Sequence, residues 1–278
     1  MSNGKRWLIT GVSSGFGRHL VEAALSRGDS IVGTVRQASQ VAGIERLAPG
    51  RAHAVLLDVT HRKRIPLAVG EAVERLAGID ILVNNAGYGL SGALEELQED
   101  EIDHVIETNL GGAINVIRAA LPALRESRGR IVNITSMSGM VGFAGLSTYC
   151  TSKFGVEGLS LALRKELAPF GIVVMLVEPG SFATGFSAVS MRRARAPMAV
   201  YDGTPAGNSR DGLNSMAGRE PGDAAKAADA IVRAIGADDP PMHLILGKDA
   251  LAMIRAHRER VDGEIAAWEE LTLSTELT

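Results

Sequence analysis

Tyr149 and Lys153 stand four residues apart in Tyr149-Cys150-Thr151-Ser152-Lys153, and Ser136 lies thirteen positions before the tyrosine. On a helix, positions i and i+4 share a face, so this spacing sets an ammonium beside a phenol. A free phenol titrates near pH ~10, too high for proton exchange at neutral pH, and a neighbouring cation favours its phenolate. The pair therefore reads as a proton donor and acceptor. Ser136 closes an apolar run and offers a hydroxyl to a reacting carbonyl oxygen. Ser138, two residues on, offers the same group, and only geometry separates the two. Cys150 is the single cysteine of the chain. No histidine motif is tied to it, so it reads as a packing residue and not as a nucleophile.

A second group is the run Thr10-Gly11-Val12-Ser13-Ser14-Gly15-Phe16-Gly17, placed between a strand-like segment and a helix-like one. Gly11 permits a tight turn. Gly15 and Gly17 let a diphosphate and a neighbouring strand approach the backbone, and the helix that follows presents unpaired N–H groups to an anion. The spacing is G-x-x-x-G-x-G. Without a Gly-Lys-Ser/Thr sequence the run does not fit a phosphate-loop hydrolase.

These residues need elements to hold them. Apolar runs at 7–10, 30–35, 52–57, 79–83, 130–135, 172–177 and 243–246 predict strands covered on both faces. Helical periodicity fills 15–27, 61–76, 98–125, 152–168 and 221–236 between them. Asp100 with Asp103 is the expected cap of the third helix, and Pro221 with Asp223 that of the fifth. Alternation of this kind specifies an α/β fold, a Rossmann-type doubly wound parallel sheet. Ligands sit at the C-terminal strand ends of such a sheet, which puts Ser136 in the same crevice as the glycine turn. Without repeats or polar linkers, 1–278 reads as a single domain. It is interrupted by an irregular lid at about 181–219, rich in Gly and Pro. The segment 248–271 sets Leu251, Ile254, Val261, Ile265 and Trp268 on one helical face, expected to pack on the body or on another subunit.

Taken together, Thr10–Gly17, Asp58-Val59, Asn84-Asn85-Ala86-Gly87, Asn109, Ser136, Tyr149 with Lys153, and Pro179-Gly180 with Thr184 resemble the short-chain dehydrogenase/reductases over about residues 5–250. The resemblance implies seven parallel strands in the order 3-2-1-4-5-6-7. It also implies hydride transfer between a nicotinamide and a carbonyl or secondary alcohol. By the same resemblance Tyr149 exchanges the substrate proton, Lys153 lowers its pKa and holds the nicotinamide ribose, Ser136 binds the substrate oxygen and Asn109 supports a water-linked proton path. Gly11, Ser13, Ser14, Gly15, Phe16, Gly17, Asp58, Val59, Asn85, Ala86, Gly87, Pro179, Gly180, Phe182 and Thr184 are the implied cofactor contacts.

The acid that grips an NAD ribose is expected roughly 20 residues past the glycines. Val35 holds that place and Arg36 follows, so NADP(H) is favoured over NAD(H), a guanidinium being suited to a 2′-phosphate. Asp29 lies at the wrong end of that strand. Met137, Met140, Val141, Phe143, Phe182, Phe186, Val189, Met191, Met198, Tyr201 and Met216 lean towards an apolar substrate. Arg192, Arg193 and Arg195 leave open a carboxylate or phosphate on it. Apolar residues around much of 110–124 and 154–167 predict a homodimer or homotetramer.

Composition excludes other classes. A net charge of -3 leaves no footprint for nucleic acid, and no apolar stretch approaches the ~20 residues that span a bilayer. One cysteine and no signal-like N-terminus make the cytoplasm the expected compartment. Two alternatives stay open: a dinucleotide-sensing regulator without turnover, and a sugar-nucleotide epimerase or dehydratase. The second normally has a different glycine spacing and a larger C-terminal domain.

Overall fold

A computed structural model of the chain describes residues 4–216 and 218–277. Its strands are β1 Arg6–Ile9, β2 Ser30–Val35, β3 Ala52–Leu56, β4 Ile81–Asn84, β5 Gly89–Ser91, β6 Arg130–Ile134, β7 Val173–Pro179, β8 Met191–Arg193 and β9 His243–Leu246. Seven of them form one sheet in the order β3-β2-β1-β4-β6-β7-β9, and β5 with β8 form a separate two-stranded ladder. Every pairing is parallel. With the small ladder set aside, this is the order expected from the family resemblance.

The helices are α1 Gly15–Ser26, α2 Val41–Glu45, α3 Ile65–Leu76, α4 Glu99–Ile106, α5 Gly112–Ser127, α6 Ser147–Leu167, α7 Pro205–Met216, α8 Ala224–Gly236 and α9 Lys248–Leu273. Successive strand residues point to opposite sheet faces, so two cores form. Trp7, Ile9, Ile81, Val83, Val132 and Met175 meet α1, α2 and α8 on one side. Leu8, Leu82, Ile131 and Val174 meet α3, α5 and α6 on the other. Each such side chain, buried on both flanks, stabilises the fold by about 1.5–3 kcal/mol. Asp29 joins this framework: its carboxylate accepts from the Trp7 indole at 2.9 Å and from the Lys5 amide at 2.8 Å, which fixes β1 at its N-terminal end.

Four expectations need correction. The single helix at 98–125 is interrupted: a π-helical turn, Glu107–Gly111, separates α4 from α5. Asp100 does not cap α4. Gln98 is the N-cap, and the Glu101 carboxylate accepts from its amide at 3.1 Å, while Asp100 faces outward in an ion pair with Arg195. The segment 181–219 is not irregular throughout, because it contains β8 and the twelve-residue α7. Its glycines and prolines mostly sit at the borders of these pieces: Gly203 is left-handed just before α7, and Pro205 is its first residue. Finally, α9 packs on the body only through its first turns. Ala250 and Ile254 are buried, but Ile265 and Trp268 are 62% and 64% exposed, so the rest projects into solvent.

Candidate active site

The glycine turn lies where β1 delivers the chain into α1. Gly11 has φ +71° and its amide donates to the Thr34 hydroxyl at 3.1 Å, a conformation that favours glycine. At Gly17 a Cβ would lie 2.3 Å from the Gly11 carbonyl oxygen and 2.5 Å from the Asn85 amide nitrogen. Gly17 therefore serves close packing inside the turn. Asn85 ties the turn to β4, donating to the carbonyls of Thr10 and Gly11 at 3.0 and 2.8 Å. Ser14 is the N-cap of α1, yet its side chain caps no amide, so the helix end stays open to an anion.

This turn forms one wall of a cleft of about 470 Å³. Gly11, Ser13, Ser14, Gly15, Phe16, Arg36, Asp58, Val59, Asn85, Ala86, Gly87 and Thr184 all line it. Thr184 stands over Gly15, 3.4 Å from the Cβ that a side chain there would have. Burial pushes the Asp58 carboxyl up, but the amide and hydroxyl of Thr60, at 2.9 and 2.7 Å, with His61 and Arg36 nearby, hold it below the usual carboxylate range. Pro179, Gly180 and Phe182 are placed differently. Gly180 abuts the Asp249 carboxylate, and the Phe182 ring packs behind Phe16 with centroids 5.4 Å apart.

Beside the cleft, α6 starts two residues ahead of Tyr149, five earlier than its periodicity predicts, and carries both Tyr149 and Lys153 inward. Tyr149 is buried, which pushes its phenol above the ordinary value; the Ser136 hydroxyl works in the opposite direction. Lys153 Nζ sits 5.8 Å from the tyrosine ring centroid and donates to the Ile134 carbonyl at 2.9 Å. Its own pKa is lowered to about 8 by burial, against the pull of Glu157. Loss of solvent thus dominates at the phenol, and the lowering by Lys153 that the spacing predicts is not among the influences on it.

Geometry also separates the two serines. Ser136 acts on Tyr149, whereas the buried Ser138 acts on Cys150, whose thiol burial pushes up. Asn109 sits in the π turn, buried, with its amide accepting from Tyr88 N at 3.0 Å and donating to Tyr88 O at 2.9 Å and Ser152 Oγ at 3.0 Å. Near it, a cavity of about 10 Å³ is lined by residues that include Thr10, Asn84, Asn109 and Ile134, and the buried Asn84 Oδ1 has no hydrogen-bond partner among the described residues.

Of the apolar candidates, Phe143, Phe186 and Met191 cluster with Tyr149, Leu146 and Leu213, and the Phe186 ring stands 5.9 Å from the tyrosine ring. Val189 lines the cleft. Met198 borders a different surface cavity, and Tyr201 donates to Glu95. The side chain of Met216 lies outside the described residues.

A further cluster escaped sequence reasoning because its members lie far apart in the chain. Glu157, one turn beyond Lys153, meets Glu178 of β7 and His243 of β9. The His243 Nδ1 is 2.6 Å from Glu178 Oε1 and 3.9 Å from Glu157 Oε2. Thr135 donates to Glu157 at 2.6 Å, which links the cluster to the residue before Ser136. Burial raises both carboxyls to about 7.

A doubly wound parallel sheet with an open helix N-terminus at its crevice, and a Ser–Tyr–Lys group alongside, defines an oxidoreductase of the dinucleotide-binding class. Comparison with known proteins narrows this. Residues 5–194 match the family model described as short chain dehydrogenase, and the chain belongs to that family. It is 34% identical to an oxidoreductase, BOA17, of Botryotinia fuckeliana over 98% of this chain and 99% of the relative. It is 40% identical to a 3-ketodihydrosphingosine reductase of Bacteroides thetaiotaomicron over 65% of each. The crystal structure of a short-chain dehydrogenase from Streptomyces avermitilis superposes with a TM-score of 0.92 at 38% identity, covering 99% of this chain and 100% of that one.

Proposed function

We propose that the protein is an NAD(P)(H)-dependent oxidoreductase that interconverts a carbonyl and a secondary alcohol, with Tyr149 as its acid/base. The observation that carries this reading is the buried phenol of Tyr149, with the Ser136 hydroxyl acting on it and Lys153 Nζ 5.8 Å from its ring. A phenol kept protonated suits donation to a carbonyl oxygen as it gains charge. Ser136 would hold that oxygen. Lys153, cationic below about pH 8, supplies positive charge near the developing phenolate. The 10 Å³ cavity has room for about one water, and together with Asn109 and the free Asn84 oxygen it supports a water-linked proton path.

The residues present fit a nicotinamide dinucleotide. The uncapped N-terminus of α1 and the Ser13–Gly15 backbone suit its diphosphate, and Asp58, Val59 and the Asn85–Gly87 wall suit its adenosine. When bound, the group supplies or accepts the hydride. Arg36 lines the cleft and meets no carboxylate within 4 Å among the described residues, which supports NADP(H) over NAD(H). The Phe143, Leu146, Phe186, Met191 and Leu213 surround favours an apolar carbonyl compound.

NADPH consumption with a panel of aldehydes and ketones, run beside a cofactor titration, tests the reading. Tyr149→Phe is expected to lose at least ~100-fold in turnover with cofactor affinity unchanged; a variant keeping more than about a tenth of the rate would move the acid/base elsewhere. Binding without turnover in the wild type would favour a sensor. In the same titration Arg36→Ala should weaken NADPH by about 1.5–3 kcal/mol and NADH little. Equal effects on the two would show Arg36 to be uninvolved.

A further inference from the structure

Three arginines fall close together in the segment over the active site, and the structure sorts them. Arg195 forms ion pairs with Asp100 and, at 3.5 Å, with Glu101. Arg193 donates to the carbonyls of Met191 and Ser187 within its own segment. Arg192 lies between Met191 and Arg193 on β8, where side chains alternate in direction. Met191 points into the Tyr149 cluster, and Arg192 turns instead to the cleft that holds the glycine turn.

Its guanidinium stacks on the Tyr88 ring, 4.4 Å from the centroid. Among the described residues no carboxylate lies within 4.0 Å of it. Glu101, the nearest acid acting on Tyr88, is already engaged by the Gln98 amide and by Arg195. The position is braced as well. β8 is held in register by β5, Leu90 opposite Arg192, and the Tyr88 hydroxyl is fixed by His104 Nδ1 at 2.8 Å. His104 and Thr108 line the same end of the cleft and can add hydrogen bonds. Stacking pre-orients a guanidinium, and beyond its contact with the Tyr88 phenol the fork keeps further N–H donors, an arrangement that selects planar or tetrahedral oxyanions.

We propose that Arg192 binds an anionic oxygen group in the cleft, reaching from the overlying segment to the ligand below. This rests on the oxidoreductase reading. Two ligands share the chemistry: the diphosphate of the dinucleotide, and a carboxylate or phosphate carried by the carbonyl substrate.

The test uses the full chain. NADPH and inorganic pyrophosphate are titrated calorimetrically into wild type, Arg192→Ala, Arg192→Lys and, as a neighbouring control, Arg195→Ala. NADPH-saturated protein is then titrated with 4-oxopentanoate and with 2-pentanone. A rise of roughly 10- to 100-fold in the NADPH and pyrophosphate Kd for Arg192→Ala, with a smaller rise for Arg192→Lys, assigns Arg192 to the diphosphate. Unchanged NADPH affinity with lost binding of 4-oxopentanoate assigns it to an acidic substrate. Thermal melts unchanged from wild type keep either result from being a folding effect. If wild type binds NADPH and Arg192→Ala alters neither cofactor nor 4-oxopentanoate binding, the proposal is overturned and the oxidoreductase reading stands. If wild type binds no NADPH or NADH at all, the reading itself fails.

Discussion

The Glu157–Glu178–His243 cluster makes a residue-level prediction about pH. Both carboxyls are pushed by burial from the usual range near 4.5 to about 7. Between those values the folded chain keeps protons that the unfolded chain has released, so stability is full below the lower value and falls as pH rises through the upper. Glu178→Gln cannot ionise. Its unfolding free energy from urea titration is expected to fall less than the wild type's between pH 5 and pH 8, by about 1–3 kcal/mol. Parallel pH curves for the two proteins would show that the carboxyl stays ionised in the fold. None of this was legible from sequence, because Glu157, Glu178 and His243 lie on three separate elements, α6, β7 and β9. Tyr149, Lys153 and Ser136 were legible, since a four-residue spacing on one helix and a strand end already place them. The choice of Ser136 over Ser138 was not, because two residues along an irregular turn carry no periodicity to orient them.

At the level of elements, sequence reading succeeded where a period runs for several turns and failed where side chains from elsewhere set the backbone. The seven strands of the main sheet fall within two residues of their apolar runs. The break between α4 and α5 has no signal in the 98–125 pattern. A π turn inserts one residue per turn, and here it turns Asn109 towards Tyr88 and Ser152, partners that only the fold supplies. The three-residue strands β5 and β8 are too short for alternation to show. They matter for access, because the ladder fastens the overlying segment while its Phe186 covers Tyr149. On the oxidoreductase reading a substrate reaching Tyr149 would displace that ring, so the segment 181–219 is proposed to open as a lid. Limited trypsin digestion is expected to cut after Arg192 or Arg195 in the free protein, and more slowly with NADPH bound. Cleavage that is absent without ligand, or indifferent to it, would make the segment a fixed part of the wall.

For the molecule as a whole, the exposed apolar residues of α6 support self-association. Phe154 and Leu161, seven positions apart and therefore on one helix face, are 44% and 46% exposed. Light scattering at micromolar concentration is expected to give a dimer or tetramer, and Phe154→Glu with Leu161→Glu to shift it towards monomer. A monomeric wild type would remove this face from consideration. The arm of α9 is a separate matter, since its apolar stripe projects beyond the fold. One packing relation has a bearing on how the chain is made. Leu20, Val21 and Ala24 of α1 share a core with Ala228, Ile231 and Val232 of α8. On a ribosome adding ~5–20 residues each second, the first helix waits roughly 10–40 s for that partner. For that interval the nascent chain leaves open the flank of α1 that α8 later covers, a surface suited to a chaperone or to aggregation.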